Sequence, residues 1–311
     1  MDLDVVFLGT AGSMPTADRS PTALLVRRGG ERLLFDCAEG TQRQLLRSSL
    51  GLIDLREVFL THYHADHYLG LPGMLKTFAL RGREAPITIH GPPGLVDLFR
   101  SLRRIFGRLT YRYELEELRP GDTLDRDDYR LVTFPVEHGV SSIGYGLVED
   151  ERPGRFDVEE ARRLGVTEGP DFGRLQRGET VNGVSPEQVV GPARHGRRIV
   201  YTGDTSPVQT VEVYAHKAEV LVHEATFLED DRARARETGH STAHQAALAA
   251  QAAEVKLLAL THLSTRYFPR DIRDEARAVF EHTIVARDFE AIEVPFPERG
   301  EPRVIKPEPE A

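Results

Sequence analysis

The chain has 311 residues, 40% of them hydrophobic, and a formal net charge of −9. That length and apolar content suffice for one large domain, or two small ones, with a sizeable buried core. The negative charge argues against a protein that coats nucleic acid non-specifically, although it leaves room for a local basic patch.

Three absences in the sequence bear on where the protein works. No run of about eighteen apolar residues occurs, so we expect no membrane span and no membrane partner. The first residues lack a basic region, so we expect no signal peptide. The single cysteine, Cys37, excludes an internal disulfide and is compatible with a reducing cytosol. We therefore expect a cytoplasmic protein in which Cys37 is a small buried hydrophobe.

Strands alternate with helices in the first third of the chain. Predicted strands cover residues 4–9, 23–26, 32–36, 55–61 and 87–90, and predicted helices cover residues 41–50, 67–80 and 92–106. Gly51 follows the first of these helices as its C-terminal stop. The glycines in residues 9–12 lack the lysine and the spacing of a nucleotide-binding loop, so they favour a plain tight turn.

A dense group of metal-ligand side chains lies between the strand at 55–61 and the helix at 67–80. Residues 61–67 read THYHADH, which places three histidines and one aspartate within six consecutive positions. A loop between a strand and a helix has irregular backbone that can aim several side chains at one point. Imidazole and carboxylate are the ligands that zinc prefers, so this segment predicts a metal site.

Three further candidate ligands each follow a predicted strand, which raises the set to seven. The complete set is His62, His64, Asp66, His67, His138, Asp204 and His262. Seven ligands are too many for one tetrahedral ion, but they suit two ions that share a bridging carboxylate. A two-metal site polarises a phosphoryl group and activates water near neutral pH.

The composition changes in the middle of the chain. Residues 150–191 are rich in glycine, proline and charge, and they hold one predicted short helix, capped at residues 157–160 and stopped by Gly165. Such a segment is too long for an ordinary loop inside a compact domain. We interpret it as an inserted, flexible arm that projects from the domain.

Alternation of strands and helices resumes after the arm. Predicted strands cover residues 198–202, 219–223 and 256–261, and predicted helices cover residues 242–253 and 269–282. The tail after Pro295 is expected to be frayed. Because strands of both halves deliver ligands at their ends, we infer two mixed sheets packed face to face, with helices outside them.

Eight short motifs, in their order along the chain, resemble the metallo-β-lactamase superfamily and, more narrowly, the ribonuclease Z family. They are FLGT (7–10), DCAEGTQ (36–42), the cluster at 62–67, VEHG (136–139), YTGDT (201–205), HEAT (223–226), GHST (239–242) and THLS (261–264). The resemblance covers roughly residues 1–297. It implies a single domain over residues 1–311, an α/β four-layer αβ/βα sandwich of two mixed sheets with outer helices, carrying the arm at 150–191.

The resemblance also implies how the ligands are shared between two zinc ions per chain. By motif position, one ion would be held by His62, His64, His138 and Asp204. The second would be held by Asp66, His67, His262 and the same Asp204, which then bridges. Asp66 would also act as the general base that accepts a proton from the attacking water.

His240 and Glu224 form a second tier of candidate catalytic residues. His240 precedes a predicted helix N-terminus, which is a favourable place for a phosphate. Glu224 could orient the imidazole or set its protonation state. The resemblance supports a role in phosphate contact or in protonation of the leaving group. The structural alternative is a histidine near a helix cap beside a surface glutamate.

The function that the resemblance implies is that of an endoribonuclease acting on precursor tRNA. Cleavage on the 3′ side of the discriminator nucleotide would leave a 3′-hydroxyl on the tRNA and a 5′-phosphate on the trailer. Residues 169–178 of the arm resemble a tRNA-gripping exosite, with Arg174 and Arg177 as expected phosphate contacts. The resemblance further implies a homodimer, and DNA is not an expected partner.

Two other functions were weighed against this one. A small-molecule phosphodiesterase or ester hydrolase of the same superfamily would need no protruding grip, so the arm at 150–191 argues against it. A non-catalytic RNA-binding module with structural zinc would close its site with four ligands, so the set of seven argues against that module.

Overall fold

Two β-sheets form the centre of the computed structural model, which describes residues 1–48, 50–52 and 55–305. Along these residues the strands are β1 (Leu3–Gly9), β2 (Ala23–Arg28), β3 (Glu31–Phe35), β4 (Glu57–Phe59), β5 (Ile87–Gly91), β6 (Tyr113–Glu117), β7 (Thr123–Asp125), β8 (Tyr129–Pro135), β9 (Ile143–Glu149), β10 (Arg198–Tyr201), β11 (Val220–Glu224), β12 (Leu257–Thr261), β13 (Thr283–Val285), β14 (Ala291–Glu293) and β15 (Arg303–Ile305).

Helices connect these strands. They are α1 (Thr41–Arg47), α2 (Ala65–Tyr68), α3 (Gly70–Leu80), α4 (Leu95–Phe106), α5 (Val158–Arg163), α6 (Pro170–Gln176), α7 (Pro186–Val189), α8 (Gln209–Tyr214), α9 (Arg232–Thr238), α10 (Ala243–Ala252) and α11 (Pro269–Arg277), with 3₁₀ turns at Glu229–Asp231 and Pro297–Arg299. None of the helices within the described ranges is both long and apolar enough to cross a membrane.

Both sheets mix parallel and antiparallel strands. The first has the order β15-β14-β1-β2-β3-β4-β5-β6, and its strands run parallel from β3 to β6. The second has the order β13-β12-β11-β10-β9-β8-β7, and its strands run parallel from β10 to β13. The prediction of two mixed sheets is confirmed.

Three apolar layers separate the sheets from each other and from the helices. Inner faces of both sheets meet in one core, where Phe35 packs on Phe59 and on the edges of Tyr145 and Tyr201. A second core fills the space between the first sheet and helices α3 and α4, and a third lies under α8, α10 and α11. Strand β1 is buried on both faces, which explains its nearly continuous apolar sequence. The four-layer sandwich is therefore confirmed.

The two sheets come into direct contact at the edge where β4, β8, β10, β11 and β12 end. The amide of Ile143 donates a 3.0 Å hydrogen bond to the carbonyl of Thr61 across this edge. Gly203 lies so close that a Cβ there would meet Thr61 Cβ at 2.8 Å, and its φ of +61° also requires glycine. Loops that leave these strands therefore start from nearly the same place.

The arm at residues 150–191 has a small core of its own. Its buried apolar side chains are Ala161, Val166, Leu175, Val181, Val184 and Val189. The sequence predicted one helix there, but the structure has α5, α6 and α7. Helices α6 and α7 each begin with a proline at the first helical position. Proline is favoured at that position, although it breaks a helix at interior positions.

Several predicted boundaries differ from the structure. Helix α1 ends at Arg47 rather than at residue 50, and residue 49 lies outside the described residues. Helix α11 ends at Arg277 rather than at 282, because the chain turns to bring Thr283 into β13 and Arg277 Nε donates to the Thr283 carbonyl. The frayed tail was wrong for residues 296–305, where β15 pairs antiparallel with β14; residues 306–311 lie outside the described part.

Candidate active site

All seven candidate ligands lie on loops or helix starts that follow strands ending at the shared edge. His62 and His64 follow β4, and Asp66 and His67 begin α2. His138 follows β8, Asp204 follows β10, and His262 comes directly after β12. The structure thus brings together residues that are up to 200 positions apart in the sequence.

Asp204 lies at the centre of the group. Its side chain is only 3% exposed, and its Oδ2 faces four imidazole Nε2 atoms. The distances are 3.9 Å to His62, 3.3 Å to His67, 3.6 Å to His138 and 3.2 Å to His262. One carboxylate oxygen is therefore shared by all the buried histidines of the cluster.

The remaining ligands divide the cluster into two halves on either side of Asp204. In one half, His64 Nδ1 lies 3.0 Å from His138 Nε2, and His62 completes the group. In the other half, Asp66 Oδ2 lies 3.3 Å from His262 Nε2 and 3.8 Å from His67 Nε2. His62, His67 and Asp204 also form a group of possible ligands, so the division between two ions that the family resemblance implied stays a prediction.

Each buried histidine of the cluster has its outer ring nitrogen held by a second group. For His62, His67, His138 and His262 the contacts of Nδ1 are Thr61 Oγ1 at 3.0 Å, Asp36 Oδ2 at 2.9 Å, the Gly239 carbonyl at 2.7 Å and Thr226 Oγ1 at 2.8 Å. Since the two hydroxyls donate onward to carboxylates, each Nδ1–H is the donor in these contacts. In the neutral imidazole every Nε2 then turns an unprotonated lone pair inward, which is the arrangement of metal-ligating histidines.

The interior of the cluster carries unpaired polar atoms that a bound cation would satisfy. His62 Nε2, His67 Nε2 and Asp204 Oδ1 are buried and have no hydrogen-bond partner. Leaving such atoms unpaired costs free energy, and native structures rarely tolerate it. Imidazole and carboxylate donors suit a borderline-soft divalent ion. The residues present therefore fit a pair of metal ions.

Electrostatics inside the cluster is dominated by Asp204. Although burial opposes it, His262 and His67 hold the pKa of the Asp204 carboxyl well below its ordinary value. Burial also opposes a charge on His67, yet Asp204 and Asp36 hold the pKa of that imidazole well above its usual value. Burial and the neighbouring His67 push the pKa of His62 well below its usual value. Asp204 and Asp36 favour a proton on His67, and a metal ion must displace that proton to bind there. Metal binding therefore strengthens as pH rises.

Asp36 supports the cluster through hydrogen bonds, and this role was not predicted from the sequence. The carboxylate is fully buried and accepts hydrogen bonds from the Thr61 amide at 2.8 Å, Tyr201 Oη at 2.8 Å and His67 Nδ1 at 2.9 Å. Its φ is +56°, an uncommon backbone conformation outside glycine. Its position at the end of a predicted strand, as for Asp204, was the available signal.

His240 and Glu224 form a buried pair beside the cluster. His240 Nδ1 lies 2.8 Å from Glu224 Oε1 and 3.9 Å from Asp204 Oδ2. Glu224 is fully buried, so the alternative of a surface glutamate is wrong. Although burial opposes it, Glu224 raises the pKa of His240 to about 9. The imidazole therefore carries a proton at neutral pH in this arrangement.

The position of His240 follows from the helix that comes after it. Thr242 caps α10 in a capping box, where its side chain accepts from the Gln245 amide while the Gln245 side chain accepts from the Thr242 amide. This fixed turn holds His240 in the wall of an open cavity of about 360 Å³. Other wall residues include Met14, Phe227, Arg234 and Arg266. The cavity offers apolar surface and two guanidinium groups next to the cluster.

Arg174 and Arg177 lie on the arm and do not join the cluster. Both pair with the same carboxylate: Arg174 Nε lies 2.9 Å and Arg177 Nε 3.5 Å from oxygens of Glu179. Each guanidinium must exchange this partner before it contacts a phosphate.

Comparison with known proteins shows the lineage of the chain. Residues 31–263 match the family model described as the beta-lactamase superfamily domain. Ribonuclease Z of Haloferax volcanii is 46% identical over 306 residues, which cover 95% of this chain and 96% of that protein. Ribonuclease Z of Methanosarcina mazei is 44% identical and covers 94% of this chain and 99% of its own length. The crystal structure of human tRNase Z, short form, superposes with a TM-score of 0.70 at 29% identity, covering 94% of this chain and 99% of that one.

Replacing Asp36 by asparagine should weaken metal binding. The amide NH₂ would face groups that now donate to Asp36, and His67 would have to present Nδ1 as an acceptor. The His67 proton would then move to Nε2 and block the inward lone pair. Supporting groups of this kind are typically worth about 10- to 100-fold in metal affinity.

A chelator competition titration followed by circular dichroism would measure that loss and check the fold. Tyr201→Phe is the matched control, because it removes one donor to Asp36 but keeps the charge and the His67 contact. We expect a smaller loss for the control. Equal affinity in Asp36→Asn and the unmodified chain would contradict the assigned role.

Proposed function

We propose that this chain, which belongs to the ribonuclease Z family of the β-lactamase superfamily and is an endoribonuclease, cleaves precursor tRNA on the 3′ side of the discriminator nucleotide. The products are a tRNA with a 3′-hydroxyl and a trailer with a 5′-phosphate. The reaction takes place in the cytoplasm, on a homodimer, with two zinc ions per chain. Neither DNA nor a membrane is a partner.

One observation carries the proposal: the buried pair of His240 and Glu224 lies directly beside the cluster of seven candidate metal ligands. His240 lies 3.9 Å from the central Asp204 oxygen, but its Nδ1 is taken by Glu224. Because Nδ1 is engaged, Nε2 is the nitrogen left to act on a substrate. A proton donor next to a two-cation site suits cleavage of a phosphodiester, whose leaving oxygen needs a proton.

The ions would be held in the two halves of the cluster. His62, His64, His138 and Asp204 would hold one, and Asp66, His67, His262 and Asp204 the other, so that Asp204 bridges. When bound, a pair of zinc ions supplies positive charge that stabilises the phosphoryl oxygens and lowers the pKa of the attacking water.

Asp66 is the residue placed to accept a proton from the attacking water. Its side chain is 15% exposed, whereas that of Asp204 is 3% exposed, so Asp66 is the cluster carboxylate that water reaches. The Ser13 amide donates to Asp66 Oδ2 at 2.9 Å and fixes its orientation. The water oxygen bonds to phosphorus as its proton passes to Asp66.

His240 completes the proton balance of the reaction. As the bond between phosphorus and the 3′ oxygen of the tRNA breaks, the imidazolium Nε2 gives its proton to that oxygen. Glu224 keeps the positive charge on the ring before the transfer and aligns it through the 2.8 Å contact. Thr205 and Thr226 in turn donate to Glu224, which leaves this carboxylate fully paired.

The arm at residues 150–191 is the proposed tRNA-binding exosite. It holds six arginines and nine acidic residues, so bulk attraction does not draw it to RNA. Grip must therefore come from individual arginine–phosphate contacts. Arg174 and Arg177 are 46% and 65% exposed at their side chains, and their shared partner Glu179 is the group that a phosphate would displace.

Mapping the cleavage point tests the proposal directly. Purified protein would be incubated with a precursor tRNA that carries a 3′ trailer, and the new 3′ end would be sequenced. We expect the end to fall directly after the discriminator nucleotide. No cleavage of the RNA, together with hydrolysis of a small cyclic nucleotide or ester, would instead identify a small-molecule hydrolase.

The dinuclear model predicts different metal losses at different ligands. Replacing Asp204 with asparagine should empty both sites, because it is the proposed bridge, whereas His64→Ala should empty mainly one. Elemental analysis of the purified variants measures the ions per chain. His216→Ala serves as a control, since this exposed histidine lies outside the cluster. One ion per chain in fully active protein would rule out the dinuclear model.

Replacing His240 with alanine should slow cleavage without removing the metal. Proton donation by a positioned side chain is typically worth about 10²- to 10⁴-fold in rate. His244→Ala is a matched control four residues after His240, on α10 itself. The experiment combines single-turnover cleavage of precursor tRNA with metal analysis. Normal cleavage by His240→Ala, or loss of its ions, would refute the assigned role.

Variants of the arm should change RNA affinity in opposite directions. Arg174→Ala and Arg177→Ala should each weaken binding and flatten the log–log salt dependence by about 0.7–0.9. Glu179→Gln should strengthen binding, because it removes the carboxylate that both guanidinium groups share and leaves Arg174 paired only with Asp171, at 3.4 Å. Filter binding of precursor tRNA over a salt series measures all three.

Arg273→Ala is the matched control for these arm variants, because this arginine also pairs with a neighbouring acid, Asp274, but lies on α11. It should leave the salt dependence unchanged. An equal effect of Arg273→Ala and the two arm variants, or no effect of either arm variant, would reject the exosite.

A further inference from the structure

The C-terminal residues 295–299 run across the base of the arm. The two chain ends of the arm are joined by an antiparallel bridge, in which the Arg152 and Arg194 amides donate to each other's carbonyls at 2.8 and 2.9 Å. We call residues 150–153 and 194–197 the neck of the arm. The C-terminal residues contact this neck through two side chains, Phe296 and Glu298.

Glu298 ties both strands of the neck together. Its two carboxylate oxygens lie 2.8 Å from Nη1 and Nη2 of Arg152, the two-pronged geometry that makes an arginine–carboxylate pair strong. Oxygen Oε1 also accepts from Arg194 Nη1 at 2.8 Å. These contacts, with Arg152 foremost, lower the pKa of Glu298 to about 2, so the carboxylate stays charged at neutral pH.

Phe296 lies between two guanidinium groups. The centre of its ring is 3.6 Å from Arg152 Cζ and 3.9 Å from Arg197 Cζ, which is cation–π distance on both sides. Arg197 is itself buried and fixed: its Nε and Nη2 donate to Glu149 at 2.7 and 2.6 Å, and its Nη1 donates to the Val294 carbonyl at 2.9 Å. Phe296 thus links the side chain of Arg152 to Arg197, whose position is fixed by its contacts in the sandwich.

The arm has little else to fix its direction. Within the described residues its apolar core is built from residues 156–190 alone and merges with none of the three cores of the sandwich. A two-stranded connection by itself leaves a module free to pivot. The contacts at the neck therefore decide where the arm points.

We propose that residues 295–299 are a clasp that fixes the direction of the arm relative to the active site, and that Phe296 and Glu298 are positioning residues for RNA binding. The RNA part of this inference rests on the proposed function. An arm that pivots is competent only for part of the time, and the apparent affinity for precursor tRNA falls by that fraction. Chemistry at the cluster does not depend on the arm.

Kinetics separates positioning from catalysis. Phe296→Ala and Glu298→Gln should raise KM for precursor tRNA by about 5- to 30-fold with little change in kcat. Hydrolysis of bis(4-nitrophenyl) phosphate, which is too small to reach the arm, should persist at the normal rate and show that the fold is intact. Phe296→Tyr, which keeps the aromatic face, should restore most of the affinity.

Glu301→Gln is the matched control for Glu298→Gln. It removes the same charge three residues later, where Glu301 pairs with Lys256 and not with the neck. Its KM for precursor tRNA should stay unchanged. Equal losses in the two glutamate variants would overturn the clasp.

A distance measurement reads the direction of the arm without any substrate. Cys37 is buried, so nitroxide labels would attach selectively to cysteines introduced at Glu168 on the arm and Val213 on α8, both exposed. We expect a narrow distance distribution in the otherwise unmodified chain and in Glu301→Gln, and a broad one in Phe296→Ala and Glu298→Gln.

The outcomes separate the clasp from the proposed function. Unchanged distance distributions in Phe296→Ala and Glu298→Gln would overturn the clasp, as would equal losses on precursor tRNA and on the small diester. A chain that binds no precursor tRNA even with the clasp intact would overturn the proposed function, while the distance distributions would still decide the clasp.

Discussion

The structure of the site depends on the burial of one negative charge, the carboxylate of Asp204. A charge that is 3% exposed is tolerated only where opposite charge or hydrogen-bond donors surround it. Four imidazoles converge on its Oδ2 within 3.9 Å, and they come from the ends of three different strands. Only a fold that ends those strands at one edge can assemble such a group. The face-to-face packing of two mixed sheets is the arrangement that does so.

The same requirement explains the groups that form hydrogen bonds with Nδ1 of the buried histidines. Each imidazole must keep its proton on Nδ1 so that Nε2 stays open toward a cation beside Asp204, and a partner enforces this for all four. Thr61 and Thr226 do so as relays, since each hydroxyl accepts from a histidine and donates to a buried carboxylate, Asp36 or Glu224. Glu224 also holds His240 at 2.8 Å. The candidate ligands and His240 are therefore held by two sets of hydrogen bonds, one centred on Asp36 and one on Glu224.

Local chemistry made part of this arrangement predictable. The density of ligands at residues 62–67, and the strand that precedes each remaining ligand, are visible in the sequence, and the family resemblance that they supported is confirmed by the relatives. Asp36 escaped because its role depends on a contact with His67, 31 positions away. A strand before His138 was expected without bounds, whereas strands β6, β7 and β9 were not predicted; β7 has three residues, and pairing with β8 rather than its own sequence makes it a strand. The tail was predicted to be frayed because its order comes from the contacts of Phe296 and from pairing with β14. Both are tertiary contacts, which the local sequence does not reveal.

The candidate ligand cluster and the arm are positioned by different kinds of interaction in this chain. The ligands stand at the ends of strands whose side chains fill three large cores, so their positions are set by the sandwich itself. The arm holds six buried apolar residues among those described, enough to order its short helices but not to dock it on the sandwich. Polar contacts must then set its direction, and they gather at Arg152, which meets Phe296 and Glu298 at once. Arg197 connects Phe296 to the buried Glu149 at the end of β9. Strand β9 pairs with β10, which precedes Asp204, so the direction of the arm is set relative to the sheet that carries Asp204. The arm that would hold the RNA and the residues that would cut it are thus both positioned relative to this sheet, although among the described residues no apolar core connects them.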